Sequence, residues 1–160
     1  MKIKERIKSW QEIEVIVKQC REEKQRIVFT NGCFDILHFG HVSYLEEAKE
    51  CGDLLIVGLN SDASVKRLKG ETRPINGELE RAFVLCGLKS VDFVVIFDQD
   101  TPYDLIKLIT PQVLVKGGDW KPEQIVGSEH VLNHGGEVKS LLFQAGFSST
   151  KVIDKMNKEK

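Results

Sequence analysis

Two histidines flank a glycine early in this 160-residue chain, at a position that favours phosphate chemistry. His38, Gly40 and His41 follow an apolar run typical of a strand and open a segment with helical periodicity. A helix N-terminus presents free backbone N–H groups and the positive end of the helix dipole. Two imidazoles there can donate further hydrogen bonds to phosphate oxygens, and the glycine leaves room for a ligand. The pattern predicts a phosphate-binding turn; the alternatives are two surface histidines or half of a metal site.

A run of hydroxyl side chains begins the last predicted helix and is a second candidate for phosphate binding. Ser148, Ser149 and Thr150 would present hydroxyl donors where the helix dipole also favours an anion. Considered alone, such a run is more often a plain N-cap. We call residues 35–41, which carry His38 and His41, the histidine turn. Together with this turn, the hydroxyl run predicts a clamp, in which two helix starts face one triphosphate.

Positive charge is concentrated locally although the net charge is only -1. Lys66, Arg67, Lys69 and Arg73 fall within eight positions. A solvated helix face is the ordinary interpretation of such a cluster, and phosphate counter-charges are the functional one. The low net charge argues against the broad cationic field that marks many nucleic-acid binders.

Helical segments alternate with short apolar runs along the chain, which predicts an α/β fold. We expect a single-domain, Rossmann-like, doubly wound parallel five-stranded sheet, with an N-terminal helix in residues 1–25 packed on a domain of residues 26–160. Ligands in such folds bind at the carboxyl ends of the strands. The predicted strands are 26–30, 53–60, 92–97, 113–115 and 138–143, and the predicted helices are 9–24, 41–51, 61–68, 78–89, 102–109, 128–133 and 148–157.

Composition limits the class of protein further. Hydrophobic residues make up 41% and charged residues 29%, and no apolar run approaches the roughly 18 residues that span a membrane. The N-terminus has no apolar core typical of a secretory signal, so we expect a cytoplasmic protein. We expect free thiols rather than disulfides or a zinc cluster, because no C-x-x-C pair occurs among Cys20, Cys33, Cys51 and Cys86.

The motifs together resemble the cytidylyltransferase-like nucleotidyltransferases, whose hallmark is an H-x-G-H motif after the first strand. The resemblance covers about residues 9–157 and is strongest to the members that transfer AMP from ATP to heptose 1-phosphate in lipopolysaccharide core synthesis. In many bacteria such a domain is fused to a sugar kinase. Because 160 residues leave no room for a kinase, we expect the free-standing form. The matching segments are 32–41, 60–62, 69–74, 114–120 and 146–150.

The resemblance implies a role for each candidate residue. The implied ligands are ATP and a sugar 1-phosphate, with Mg²⁺ bound to the ATP. The resemblance implies no nucleic acid or membrane partner, and it leaves a homodimer open. The implied catalytic residues are His38, His41, Lys69 and Thr150. The implied nucleotide-binding residues are Gly32, Cys33, Phe34, Asp35, His38, Gly40, His41, Lys116, Gly117, Asp119, Ser148, Ser149 and Thr150. The implied substrate-binding residues are Asn60, Asp62, Lys66, Lys69, Arg73 and Arg81.

Several alternatives stay open at this stage. Asp35 could cap the helix entry or help to position a metal, and Arg81 could form a salt bridge on a helix surface. A CTP-dependent enzyme for glycerol or ethanolamine phosphate is the nearest rival, although its usual Arg-Thr-Glu-Gly run is replaced here by Phe-Gln-Ala-Gly at 143–146. A non-catalytic nucleotide-binding module is the alternative from another class.

Overall fold

A parallel sheet forms the centre of the molecule, with strand order β1-β4-β3-β2-β5-β6. The computed structural model describes residues 1–142 and 148–158, and within them this sheet has six strands. All neighbouring strands pair in parallel, so the predicted doubly wound class is confirmed. The strands are β1 (Ile7–Lys8), β2 (Ile27–Gly32), β3 (Leu54–Asn60), β4 (Phe93–Phe97), β5 (Val113–Gly117) and β6 (Glu137–Leu141).

Helices cover both faces of the sheet and bury two separate apolar layers. One layer packs α2 and α4 against the sheet, and the other packs α1, α5 and α6 against the opposite face. β3, buried on both faces, therefore reads as a nearly continuous apolar run. The helices are α1 (Trp10–Glu22), α2 (Phe39–Glu50), α3 (Asp62–Lys69), α4 (Glu78–Cys86), α5 (Tyr103–Ile109), α6 (Ser128–Asn133) and α7 (Ser149–Lys158).

The sixth strand, β1, corrects the prediction of five. Ile7 and Lys8 pair with Val94 and Val95 at the edge of the sheet. Two residues are too few to show a strand period, so no sequence pattern could have indicated this strand. Arg6 supports it, because its Nη1 atom donates to two backbone carbonyls at the end of α4 and before β4.

The order of the strands places a topological switch between β2 and β5. The chain proceeds from β2 to β3 and β4 on one side, and then returns to β5 on the other side of β2. In the described residues the β2–β5 ladder pairs only Val28 with Val113 and Phe29 with Leu114, whereas β2 stays paired with β3 as far as Gly32. The carboxyl ends of β2 and β5 are thus unpaired with each other, and a crevice is expected there.

Local signals in the sequence explain most element boundaries. Ser9 caps α1 with a reciprocal capping box to Glu12, as its spacing predicts. The predicted last strand extended to Phe143, which lies outside the described residues; β6 ends at Leu141. All four cysteines are free thiols, as expected. Among the described residues, no helix is long and apolar enough to cross a membrane.

Gly58 in β3 has no space for a side chain. A methyl group there would lie 2.7 Å from Cζ of Phe29, whose ring is fully buried. We expect Gly58→Ala to lower the free energy of unfolding by about 1–3 kcal/mol through overpacking. Urea denaturation measures this, and the double variant Gly58→Ala/Phe29→Leu should lose less than the sum of the single changes. If the changes in the free energy of unfolding were strictly additive, they would contradict the proposed clash.

Candidate functional site

A cleft of about 320 Å³ opens where β2 and β5 separate, and it joins the two predicted phosphate-binding turns. The histidine turn before α2, the end of α3, the end of β5 and the start of α7 all contribute to it. Its lining residues are Asn31, Gly32, Cys33, Phe34, His41, Tyr44, Lys69, Lys116, Gly117, Gly118, Trp120 and Ser149.

The two histidines of the H-x-G-H motif lie against each other at the start of α2. Their ring centroids are 3.8 Å apart with an angle of 23° between the planes, and the ring of Phe34 meets His41 edge-on at 5.2 Å. His38 is the N-cap residue in extended conformation, and Gly40 is buried in the first turn. The motif therefore places two imidazoles at a helix N-terminus, where the positive end of the dipole favours an anion.

His41 is neutral at physiological pH in this arrangement. Burial lowers its pKa to about 4, with smaller contributions from the charges of His38 and Lys69, while a backbone hydrogen bond to Ile36 opposes them. Burial lowers the pKa of His38 as well. A neutral imidazole carries one N–H donor, and an anion bound beside it would favour the protonated form, which carries two.

The start of α7 is tied directly to the histidine turn. The hydroxyl of Ser149 donates to the backbone carbonyl of Ile36 at 3.0 Å. The hydroxyl of Ser148 accepts from the N–H of Lys151 at 3.1 Å and so caps the helix, while Thr150 is exposed. The two turns, separated by over a hundred positions in the sequence, therefore face the same cleft.

The end of β5 forms the opposite wall of the cleft. Lys116 is half-buried there, and burial lowers the pKa of its ammonium group. Gly118 has φ of 115°, a conformation that favours glycine, and its N–H donates to the carbonyl of Leu141. The indole N–H of Trp120 donates to the carbonyl of Gly117 at 3.0 Å. Asp119, between these residues, is exposed.

Asp35 is buried and accepts hydrogen bonds from a distant loop. Its carboxylate accepts from Nε of Arg73 at 2.7 Å and from the backbone N–H groups of Ile75 at 2.8 Å and Asn76 at 3.0 Å. Burial acts to raise its pKa, but the two backbone donors and the Arg73 guanidinium outweigh burial and lower the pKa. Asp35 therefore holds its negative charge inside the fold.

Arg81 was predicted either to bind substrate or to form a salt bridge on a helix surface; it forms an ion pair with Asp62, but from a buried position. It is only 2% exposed, and it donates to the carbonyls of Cys33, Asn60 and Asn76. Its Nη2 atom also donates to the carboxylate of Asp62 at 2.8 Å. Four of its five donors are thus used inside the protein, and the side chain is not presented to the cleft.

The remaining predicted residues lie around the cleft rather than in it. Asn60 is buried and its side chain donates to Ser64. Lys66 is exposed on α3, and in the described part of the chain it does not line the cleft, unlike Lys69 one turn later.

Residues without a predicted role also lie at or next to the site. Tyr44, Trp120 and Asn31 line the cleft, and Asn76 contacts Asp35. The helical period indicated only that Tyr44 faces inward. Tyr44 also lines the cleft, and a hydrogen bond of 2.6 Å between its hydroxyl and that of Thr30 holds its ring in place.

A larger cavity of about 650 Å³ adjoins α6 and includes His130 and His134. Its lining contains none of the residues that sequence motifs indicate. Size therefore does not identify the functional site here, whereas the convergence of independent motifs does.

Comparison with known proteins agrees with this geometry. The parallel sheet, the crevice at the switch point and the helix starts facing it define a Rossmann-like nucleotide-binding α/β protein. The family model described as cytidylyltransferase-like matches residues 29–155. The chain belongs to this cytidylyltransferase-like family of nucleotidyltransferases.

Two curated relatives carry the name bifunctional protein HldE. The protein from Wolinella succinogenes is 59% identical over 152 residues, covering 95% of this chain and 31% of the relative. The protein from Campylobacter jejuni strain RM1221 is 52% identical over 160 residues, covering 100% of this chain and 33% of the relative. The chain thus spans about a third of the length of the curated relatives it matches.

Solved structures extend the comparison to the fold. The lipopolysaccharide core biosynthesis protein from Thermoplasma volcanium has 29% identity and a TM-score of 0.60, with 75% of this chain and 97% of that chain covered. Pantoate-beta-alanine ligase from Francisella tularensis has 17% identity and a TM-score of 0.61, with 95% of this chain and 76% of that chain covered. The second likeness shows the fold alone.

The neutral state of His41 predicts a pH-dependent stability. In the unfolded chain the imidazole binds its proton near pH 6.5, whereas in the fold it does so only near pH 4. Acidification between these values therefore favours the unfolded state, and we expect His41 to reduce the free energy of unfolding by about 2 kcal/mol between pH 7 and pH 5. Urea denaturation at a series of pH values measures this loss.

His41→Gln should lose less free energy of unfolding between pH 7 and pH 5 than the wild-type protein does. Asn133→Gln, an exposed change on α6 that removes no titrating group, is the control and should keep the wild-type pH dependence. An unchanged pH dependence in His41→Gln would show that this imidazole is not held neutral by the fold.

Proposed function

We propose that this protein transfers AMP from ATP to a heptose 1-phosphate, giving ADP-heptose and pyrophosphate for lipopolysaccharide core synthesis. The observation that carries the proposal is the single cleft lined by His41, Lys69, Lys116 and Ser149. These side chains come from four separate elements. The imidazole and the two ammonium groups suit a triphosphate, and the hydroxyl of Ser149, by donating to Ile36, holds the start of α7 beside them.

The reaction is a direct in-line displacement. An oxygen of the sugar 1-phosphate attacks the α-phosphorus of ATP and forms a new P–O bond. The P–O bond between the α-phosphorus and the bridging oxygen breaks, and pyrophosphate leaves with the electron pair. The attacking phosphate is already ionised, so no protein nucleophile is needed, and catalysis depends on positioning and on donors aimed at the phosphoryl oxygens.

The phosphate-binding groups divide between the two helix starts. His38 and His41 donate to the oxygens on which charge increases in the transition state, and Lys69 supplies positive charge. Ser148, Ser149 and Thr150 lie at the start of α7, where hydroxyl and backbone donors suit the β- and γ-phosphates. The Lys116–Asp119 turn provides a backbone surface for the base or ribose.

The acceptor side of the site is assigned to the region around Arg73. Its Nε atom is held by Asp35, and within the described residues its buried Nη2 atom has no hydrogen-bond partner. A guanidinium group fixed at one nitrogen can use another to bind a sugar-phosphate oxygen. Lys66 adds exposed positive charge nearby, whereas Asn60, Asp62 and Arg81 support the site through contacts within the protein.

Mg²⁺ is part of the proposal as the counter-ion of the triphosphate. Among residues 1–142 and 148–158, no group of three or more His, Cys, Asp or Glu side chains could hold a metal ion. Asp35, the carboxylate of the motif, already accepts from Arg73 and two backbone N–H groups. Mg²⁺ is therefore assigned to phosphate oxygens and water, which it commonly retains, and no step is derived through it.

The identity of the acceptor rests on two likenesses. The motifs resemble those of heptose 1-phosphate adenylyltransferases, and the structural relative from Thermoplasma volcanium is described as a lipopolysaccharide core biosynthesis protein.

The proposal also includes a cytoplasmic location, no nucleic-acid or membrane partner, and residues 1–25 packed with 26–160 as one domain. The proposal leaves a homodimer open, and light scattering measures the assembly.

Pyrophosphate release tests the proposed activity. We expect turnover with ATP and heptose 1-phosphate to exceed that with hexose 1-phosphates, and His41→Ala to lower kcat by about 10²–10³-fold because a transition-state donor is lost. His134→Ala is the matched control and should retain wild-type turnover. Near-full turnover in His41→Ala would contradict its role.

The same assay distinguishes the rival functions. Faster turnover of CTP with glycerol or ethanolamine phosphate would show a cytidylyltransferase. Tight ATP binding without pyrophosphate release from any acceptor would show a binding module.

A further inference from the structure

We propose that Asp35 and Arg81 are positioning residues that fix the loop of residues 70–77 against the histidine turn and thereby hold Lys69 in the cleft. We call this segment the 70–77 loop. The inference rests on the proposed function only where it assigns Lys69 to the triphosphate.

The 70–77 loop has little apolar packing to hold it. Most of its residues are exposed, and Ile75, its one large apolar side chain, is 56% exposed. Within the described residues, one backbone hydrogen bond closes the loop on itself, from the N–H of Arg73 to the carbonyl of Gly70. A segment with so few apolar contacts needs another source of order.

Asp35 supplies that order through direct hydrogen bonds to the loop. It lies in the histidine turn, yet its carboxylate binds three donors of the loop: Nε of Arg73 and the N–H groups of Ile75 and Asn76. Its backbone carbonyl also accepts from the side-chain amide of Asn76 at 2.9 Å. Hydrogen bonds to a buried carboxylate are stronger than neutral ones, so they can fix an otherwise exposed loop.

Arg81 extends the same network to the strand ends. It donates to the carbonyl of Asn76 in the loop, to that of Cys33 beside the histidine turn, and to that of Asn60 at the end of β3. Its ion pair with Asp62 adds the start of α3. One buried guanidinium thus connects four segments around the cleft.

The network fixes the position of the backbone at Lys69. Lys69 is the last residue of α3 and directly precedes the 70–77 loop, so both ends of its local chain are attached to the network. Its own side chain is exposed and lines the cleft. The direction of its ammonium group therefore depends on where α3 and the loop are held.

Amide hydrogen exchange on the full chain tests the loop directly and needs no activity. Asp35→Asn should accelerate exchange at Ile75 and Asn76 by about tenfold or more, because their charged acceptor is lost. Amides inside β3 should keep wild-type rates. The matched control is Asp100→Asn, which removes the exposed ion pair of Arg67 on the same helix as Lys69 and should change neither set.

Asn76→Ala provides the second variant, because it removes a single side-chain hydrogen bond from the same network and leaves the buried charges paired. It should accelerate exchange in the 70–77 loop alone. Unchanged exchange at Ile75 in either folded variant would overturn the proposed fixation of the loop.

The contribution of Lys69 is tested by a double-mutant cycle on the affinity for a non-hydrolysable ATP analogue. Asp35→Asn and Lys69→Ala should each weaken binding by about tenfold, and the double variant should bind no more weakly than Lys69→Ala alone. Additive effects would overturn the link between the loop and Lys69. Failure of the wild-type protein to bind the analogue would instead refute the proposed use of ATP, while the exchange rates still decide the fixation of the loop.

Discussion

The separation of β2 from β5 beyond Phe29 and Leu114 is the constraint on which the site depends. A parallel ladder leaves no room for a ligand, but where it stops at the switch point the two strand ends line a cleft, with Gly32 on one side and Gly117 on the other. Connections leave these ends in opposite directions and bring helix starts back to the crevice. The histidine turn and the start of α7 are therefore adjacent because of the topology, and the hydrogen bond from Ser149 to Ile36 fixes their distance.

The cleft combines two electrostatic environments that serve one ligand. The imidazole of His41 is desolvated enough to stay neutral, while Lys69 remains exposed and Lys116 is half-buried. A triphosphate bound here would place its negative charge beside the ammonium groups of Lys69 and Lys116. The same negative charge would favour the protonated form of the His41 imidazole. The buried charges behind the cleft, Asp35 and Arg81, have their counter-charges inside the fold, so they can shape the site without competing for the ligand.

Much of the fold follows from patterns that are local in the sequence. Apolar runs such as 54–60 predict buried strands, Ser9 and Glu12 predict the start of α1, and the H-x-G-H spacing predicts a phosphate-binding turn. What could not be predicted depends on contacts between distant residues. The edge strand β1 is too short to show a period, and it exists because β4 offers a partner.

Arg81 shows the same limit within the site. In the sequence it is one charged residue in a helix that also contains exposed ones, so its burial leaves no local signal. Its partners lie 5, 19, 21 and 48 positions away, and only the folded chain brings them together. The sequence thus indicates which residue types surround the cleft, whereas folding decides which of them face the ligand and which support it.

A crystal structure with a non-hydrolysable ATP analogue tests the central claim most directly. We expect the triphosphate to lie between the imidazoles of His38 and His41 and the start of α7, with the hydroxyl of Ser148 and the ammonium of Lys69 within hydrogen-bond distance of phosphate oxygens. A triphosphate bound elsewhere, for example in the larger cavity beside His130 and His134, would contradict the account.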